Sequence, residues 1–332
     1  MKNNPIIRRF AACAVAGTML LSLCACGAGK DGKDDTYKVA VVKQMDHASL
    51  DEIAKAITTQ LDSIAQEKNV TIEYEVYSGQ NDQSVLKQLG DQAIVDGVDA
   101  IIPIASTAAQ VMALCAQDTQ TPVVYAAVSD PKTAELTGLD YVTGTSDALE
   151  TSVILDMMLT QNPDMKKVGL LYSLSEPNSA TPIQEAKEYL DSKGISYVEQ
   201  TGNTNDEVIA AASALVAGGV DAIFTPTDNV IMSAELAIYE QLAQAKIPHY
   251  TGADSFVRNG AFATCGVNYT DLGTQTADLA VQVLQTGEIP EYVTVAGDII
   301  TVNTETAATL GADYSMLESM GSQLVEVVTT QE

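Results

Sequence analysis

Five residues, GVDAI, occur twice in the chain, as Gly97–Ile101 and as Gly219–Ile223. The match extends to both sides of each copy. "YKVAVVKQMDHAS" is answered by "KKVGLLYSLSEPNS", "TIEYEV" by "ISYVEQ", "NDQSVLKQLGDQAIVDG" by "NDEVIAAASALVAGG", "VDAIIPIA" by "VDAIFTPT" and "TPVVYAAVSD" by "IPHYTGAD". Each GVDAI supplies a glycine to end a helix at positive φ, an aspartate for the turn, and Val and Ile to build a strand. A repeat this long admits few architectures. It predicts two similar halves of alternating strands and helices, joined in one chain.

The local pattern agrees. "KVAVVKQM" reads as a buried strand. The helix after it carries Leu50, Ile53, Ala54, Ile57, Leu61 and Ile64 on one face, with Ser49 and Glu52 at capping-box spacing. Thr107 with Gln110 has the same spacing. Thr181 precedes Pro182 and stands three residues before Gln184, and Gly194 ends that helix. Alternation of strands and helices implies βαβ units, parallel sheets and right-handed crossovers. The expected fold is therefore α/β: two Rossmann-like lobes with parallel sheets, joined by a hinge that the chain crosses several times. The first lobe is expected at 37–146 plus 270–292, with the helix from Asp271 returning to it. The second is expected at 147–269 plus 293–332, closed by a strand pair and a short helix.

The N-terminus is of another kind. Lys2, Arg8 and Arg9 precede the apolar run "AACAVAGTMLLSL", and "LCACG" follows. This is a secretory signal pattern. Residues 1–25 are expected to be removed, leaving Cys26 as a lipidated N-terminus, because Leu23, Cys24, Ala25 and Cys26 resemble a bacterial lipobox. Two acyl chains at about 0.8 kcal/mol per buried methylene give stable anchoring. "GAGKDGKDDT" then reads as a flexible tether, 26–36. Cys115 and Cys265, far apart in predicted helix and strand, are expected as free thiols.

Composition narrows the partners. The chain of 332 residues has a formal charge of −27, which disfavours nucleic acid and anionic membrane surfaces, both of which need Lys/Arg patches. Catalytic signatures are missing: there is no Gly-x-Ser-x-Gly elbow, and no Gly-x-Gly-x-x-Gly follows the first strand. With two histidines and no cysteine pair, a transition-metal site is not expected, and no cofactor is implied.

In open parallel sheets ligands bind beyond the carboxyl ends of the strands. The segments there are "MDHAS", "YSGQND", "AST" and "SDP" in the first lobe, and "SEPNS", "GNTND", "TDN" and "ADS" in the second. With "IASTAAQ", "AVSDP", "VTGTSD", "PTDNVIMSA" and "GADSFVRNGAFATCGVNYTDLGTQTA", the chain resembles lipoprotein substrate-binding proteins of ABC transporters. The closest resemblance is to the tryptophan- or tyrosine-binding group with the type I periplasmic-binding fold, and it covers nearly all of the chain after the signal. The resemblance implies a non-catalytic, monomeric protein on the outer side of the cell membrane. It would capture a small solute for a permease and its ATPase, with only a lipid anchor in the membrane. A lipid-anchored sensor docking on a receptor would share fold and cleft, and sugars or nucleosides remain alternative solutes.

The residues at the strand ends suit a zwitterion. Ser106 and Thr107 at a helix start, with Asn178 and Ser179, offer donors to a carboxylate. Asp228, Asp254, Asp130 and Glu176 offer negative charge to an ammonium, with Thr227 and Asn229 beside them. Each is also an ordinary helix cap in prospect, Asp228 and Asn229 above all. Tyr172, just ahead of "SLSEPNS", is the expected stacking partner for an aromatic solute. His47 stands in the first strand–helix loop and His249 inside a strand.

Overall fold

The computed structural model describes residues 36–330; the expected signal, Cys26 and the tether up to residue 35 lie outside them. The chain begins with β1 (Thr36–Lys43), α1 (Ala48–Lys68), β2 (Thr71–Ser78), α2 (Gln83–Val95), β3 (Ala100–Ile104), α3 (Ser106–Ala116), β4 (Val123–Tyr125) and β5 (Val142–Ser146). It continues through α4 (Thr151–Gln161), β6 (Lys167–Tyr172), a 3₁₀ turn (Pro177–Ser179), α5 (Ala180–Lys193), β7 (Ser196–Thr201), α6 (Asn205–Ala217), β8 (Ala222–Thr225), α7 (Asn229–Gln244), β9 (His249–Thr251), α8 (Asp254–Arg258) and β10 (Ala263–Gly266). The last part holds α9 (Tyr269–Thr286), β11 (Val293–Thr294), β12 (Ile299–Asn303), α10 (Thr304–Leu310), a second 3₁₀ turn (Ser315–Met320) and β13 (Gln323–Val327).

Two sheets result. The first runs β11-β5-β4-β3-β1-β2 and the second β13-β12-β10-β9-β8-β6-β7. All pairings are parallel except β10 with β12. The order β2-β1-β3-β4-β5 in one lobe is matched by β7-β6-β8-β9-β10 in the other, so the repeat in sequence is a repeat in topology. The two GVDAI segments do the same work. Gly97 and Gly219 stand at φ +66° and +62°. The Asp99 carboxylate accepts from the Lys38 N–H at 2.8 Å, and Asp221 accepts from Lys166 and Lys167 N–H at 2.7 and 2.8 Å. Each aspartate thus ties the turn before β3 or β8 to the start of the neighbouring strand.

Helices cover both faces of each sheet. The α1 face buries Leu50, Ile53, Ile57, Leu61 and Ile64, each worth roughly 1.5–3 kcal/mol of transfer free energy. It packs beside α9, and the fit is close: a Cβ at Gly273 would lie 2.7 Å from both Ala56 Cβ and the Ile53 carbonyl oxygen. The chain passes between sheets three times, from β5 to α4, from β10 to α9 and from β11 to β12. Val293 and Thr294 pair with β5, so the last crossing follows them rather than starting at 293. One apolar cluster runs from Leu50 and Ile53 of the first lobe to Met232, Phe256 and Val257 of the second.

Three expected caps differ. His47, not a serine, occupies the N-cap position of α1, and Ser49 instead hydrogen-bonds Ser255 of the other lobe. Thr107 lies inside α3, where its hydroxyl caps nothing. Thr181 lies inside α5 and donates to Asp130 at 2.8 Å. For Ser49 and Thr181 a contact across the cleft claims a side chain that local spacing assigns to the helix. Cys115 and Cys265 are both free.

Candidate functional site

In each lobe the helices after the first and third strands leave on opposite faces of the sheet. The α1 side packs into one apolar cluster and the α3 side into another; α7 and α5 divide likewise in the second lobe. That divergence opens a crevice at the carboxyl ends of β1 and β3, and of β6 and β8. The two crevices face each other and are bridged by side chains. Gln44 Nε2 donates to Glu176 Oε1 at 2.7 Å, and Asn229 Nδ2 donates to Glu176 Oε2 at 2.6 Å. His47 Nε2 lies 3.0 Å from Asn229 Oδ1, and the hydroxyls of Ser129 and Thr227 are 3.1 Å apart. At the rim Arg258, the one arginine among the described residues, joins Asp254 of its own helix to Glu52 of α1, the latter at 2.7 Å.

Between the lobes lies a narrow cavity whose enclosed space is only about 20 Å³ in this closed arrangement. Its polar lining comes from Ser106, Ser129, Asp147, Asn178 and Thr227, and its apolar lining from Leu50, Ile53, Met232 and Phe256. The N-terminus of α3 opens onto it under backbone strain. Ala105, in the N-cap position, has φ +80° and ψ 160°, a region almost reserved for glycine, and such strain collects at binding sites. Ala127, also in the lining, has φ +55°. Next to Ser106, the buried Thr107 Oγ1 has no hydrogen-bond partner. Free N–H groups at a helix start together with a free hydroxyl suit an anionic group.

Opposite charge lies in the same cavity. Asp147 follows β5 at the first crossing and is 5% exposed. Its Oδ1 accepts from Ser129 Oγ at 2.8 Å and its Oδ2 from Tyr269 OH at 3.1 Å. Burial raises its pKa on balance, against the lowering by Ser129, Tyr269 and its own backbone N–H. Among the described residues no cationic side chain is in contact with it. Sequence reasoning passes over Asp147, although it ends the segment "VTGTSD". The signal was its place directly after a strand, at the point where the chain leaves the lobe.

The expected site residues divide. Ser106, Asn178, Thr227, Asp228 and Asn229 line the cavity. Asp228 is occupied by its own lobe. Its Oδ1 accepts from Val230 and Ile231 N–H, and its Oδ2 from Ser173 N–H and Ser179 Oγ, so all four acceptor positions are filled within the second lobe. Ser179 is spent on the same cap, and Asn178 Nδ2 donates to the Thr227 carbonyl at 2.5 Å. Glu176 is enclosed by Gln44 and Asn229. Asp130 caps the turn at Lys132 and Thr133 and reaches Thr181 across the rim. Asp254 is held by Arg258, with burial still pushing its pKa up to about 6. Tyr172 stands away from the cavity, its hydroxyl donating to Glu199 at 2.8 Å. The aromatic rings in the lining are instead His47, Phe256 and Tyr269.

Burial governs the titrating groups of the bridge. It holds His47 down at about 4 and, with the nearby Asp228 carboxylate, pushes Glu176 up to about 8. His249 lies elsewhere, buried between Glu235 at 3.1 Å and Thr225 at 2.8 Å. Among the described residues no group of three His, Cys, Asp or Glu could hold a metal ion.

Residues 38–316 match the model of the family described as ABC transporter substrate binding protein. The chain belongs to this family. The family is one of substrate-binding proteins, not enzymes. The chain is 29% identical over 313 residues to a "Tyrosine-binding protein" of Clostridioides difficile (strain R20291), across 89% of each chain. A solved ABC domain from Streptococcus pneumonia in complex with L-Trp is 29% identical, with a TM-score of 0.78 over 87% of this chain and all of that one. A solute-binding protein from Bacillus halodurans with bound myo-inositol, 14% identical, shares the fold at a TM-score of 0.64 over 80% of this chain and 94% of that one. The architecture is that of type I periplasmic binding proteins, and the cavity lies where two such lobes meet.

Proposed function

We propose that this substrate-binding protein captures an amino acid with an apolar, aromatic side chain and delivers it to an ABC importer from the outer face of the cell membrane. The observation that carries the reading is the pairing within one buried cavity. A strained helix N-terminus with Ser106 suits a carboxylate, and Asp147, in contact with no cationic side chain among the described residues, suits an ammonium. Leu50, Ile53, Met232 and Phe256 form an apolar wall beside them. A neutral sugar carries neither the carboxylate nor the ammonium that this pairing would match. The tyrosine-binding relative and the tryptophan complex support the same solute class. Among the described residues no helix is long and apolar enough to cross a membrane. Anchoring therefore rests on Cys26, whose lipidation is supported by the "LCAC" junction. Intact mass of membrane-extracted protein should give a chain starting at a diacylated Cys26.

The test of the solute is calorimetry against the twenty amino acids, simple sugars and nucleosides. Tight binding of tryptophan or tyrosine is the expected result. A sugar or nucleoside that binds while no amino acid does would overturn the proposal.

A further inference from the structure

The bridge across the cleft fixes more than closure. Asn229 Nδ2 donates to Glu176 Oε2, so Asn229 Oδ1 faces His47 as an acceptor. With the Asn229 amide in this orientation, His47 Nε2 carries the proton. Its other nitrogen, Nδ1, is buried, has no hydrogen-bond partner, and belongs to a ring that lines the cavity. It is therefore a bare acceptor. Burial keeps the ring neutral, with its pKa down at about 4, so the acceptor persists through the neutral range.

The sheet order places this acceptor. Asp147 follows β5 and His47 follows β1, and the order β5-β4-β3-β1 separates their strands by three intervals, about 14 Å at ordinary strand spacing. The α3 N-terminus lies between them, at the end of β3. A zwitterion held by Asp147 and Ser106 at one end would pass its side chain along Leu50, Met232 and Phe256 toward His47.

Resting on the amino-acid reading above, we infer that His47 is a specificity-determining residue: its Nδ1 accepts a hydrogen bond from an O–H or N–H on the far end of the solute's side chain. The solute class narrows to aromatic amino acids bearing such a donor, a phenol or an indole. A solute of the same shape without the donor leaves Nδ1 desolvated and unpaired, and sites built this way discriminate strongly.

Two matched ligand pairs test this on the unmodified protein by calorimetry: tyrosine against phenylalanine, and tryptophan against 1-methyltryptophan. The donor-bearing member of at least one pair should bind tenfold or more tightly. In His47→Phe, with folding checked by thermal unfolding, that ratio should fall to within about twofold, a change that merely structural damage would not produce because it weakens both ligands alike. Equal binding within both pairs on the wild type overturns the inference, whether or not the variant folds. A ratio that survives in a folded His47→Phe also overturns it. If no aromatic amino acid binds the wild type at all, the proposed function fails, and the inference fails with it.

Discussion

At the residue scale, the cleft shows how one side-chain type takes opposite roles by geometry alone. Asp228 and Asp147 both follow strands, and both line the cavity. Asp228 has every acceptor position filled by its own lobe, so it is a structural cap. Asp228→Ala should lower unfolding free energy by at least about 2 kcal/mol, from the lost cap and the stranded Ser173 and Ser179 donors. Solute affinity below the melting transition should change only a few-fold. Unchanged stability with a hundredfold loss of affinity would return this carboxylate to the solute. Glu176 supplies the pH dependence. Its folded pKa, raised to about 8 by burial and by the Asp228 charge, lies above the ordinary 4.5. The folded state therefore binds more protons between those values, and stability from this group falls as pH rises through that window. His47 acts in the other sense, with its folded pKa lowered to about 4 from 6.5, so its contribution grows with pH across that interval and is complete above it. Between pH 6.5 and 8 only the Glu176 decline remains of the two, at most about 1.4 kcal/mol per pH unit. Denaturant melts across that range should show the slope in wild type and lose it in Glu176→Gln. A slope unchanged in the variant would place its origin elsewhere.

At the scale of elements, much of the fold can be read from the sequence, because each strand and helix carries its own periodicity. The apolar face of α1, the glycine stops at Gly97 and Gly219 and the strand starts after them are local signals. The caps were less legible. Ser49, Thr107 and Thr181 have the right spacing, but the Ser49 hydroxyl turns to Ser255, that of Thr181 to Asp130, and that of Thr107 is buried without a partner. Spacing along one helix carries no information about what the other lobe presents to it. For the same reason Tyr172 could be placed at a strand end but not on the correct side of it, and Asp147 was hidden in a segment that precedes no matching cap in the repeat. The contact between α1 and α9 offers a direct check on packing. Gly273→Ala would push a methyl into Ala56 and the Ile53 carbonyl. The expected cost is about 1–3 kcal/mol, outweighing the gain of up to about 1 kcal/mol in helix propensity. Chemical denaturation measures it, and a net stabilisation would mean that the two helices part freely.

For the whole molecule, duplication explains both the fold and the place of the site. Two lobes of equal topology put their crevices face to face, and neither lobe alone completes the cavity. The first contributes the strained α3 N-terminus, Asp147 and His47; the second contributes Met232, Phe256 and the Asn229–Glu176 pair that orients His47. In the proposed reading, closure and recognition use the same side chains. The central claim is that a zwitterionic amino acid is held between the α3 N-terminus and Asp147. Calorimetric titration of L-tryptophan and L-tyrosine into wild type and Asp147→Asn tests it most directly. The substitution keeps the shape and removes a charge-assisted hydrogen bond in a buried site, worth about 1.5–3 kcal/mol. Affinity should fall roughly ten- to hundredfold in the variant for whichever of the two binds. Equal affinity in the two proteins would contradict the account.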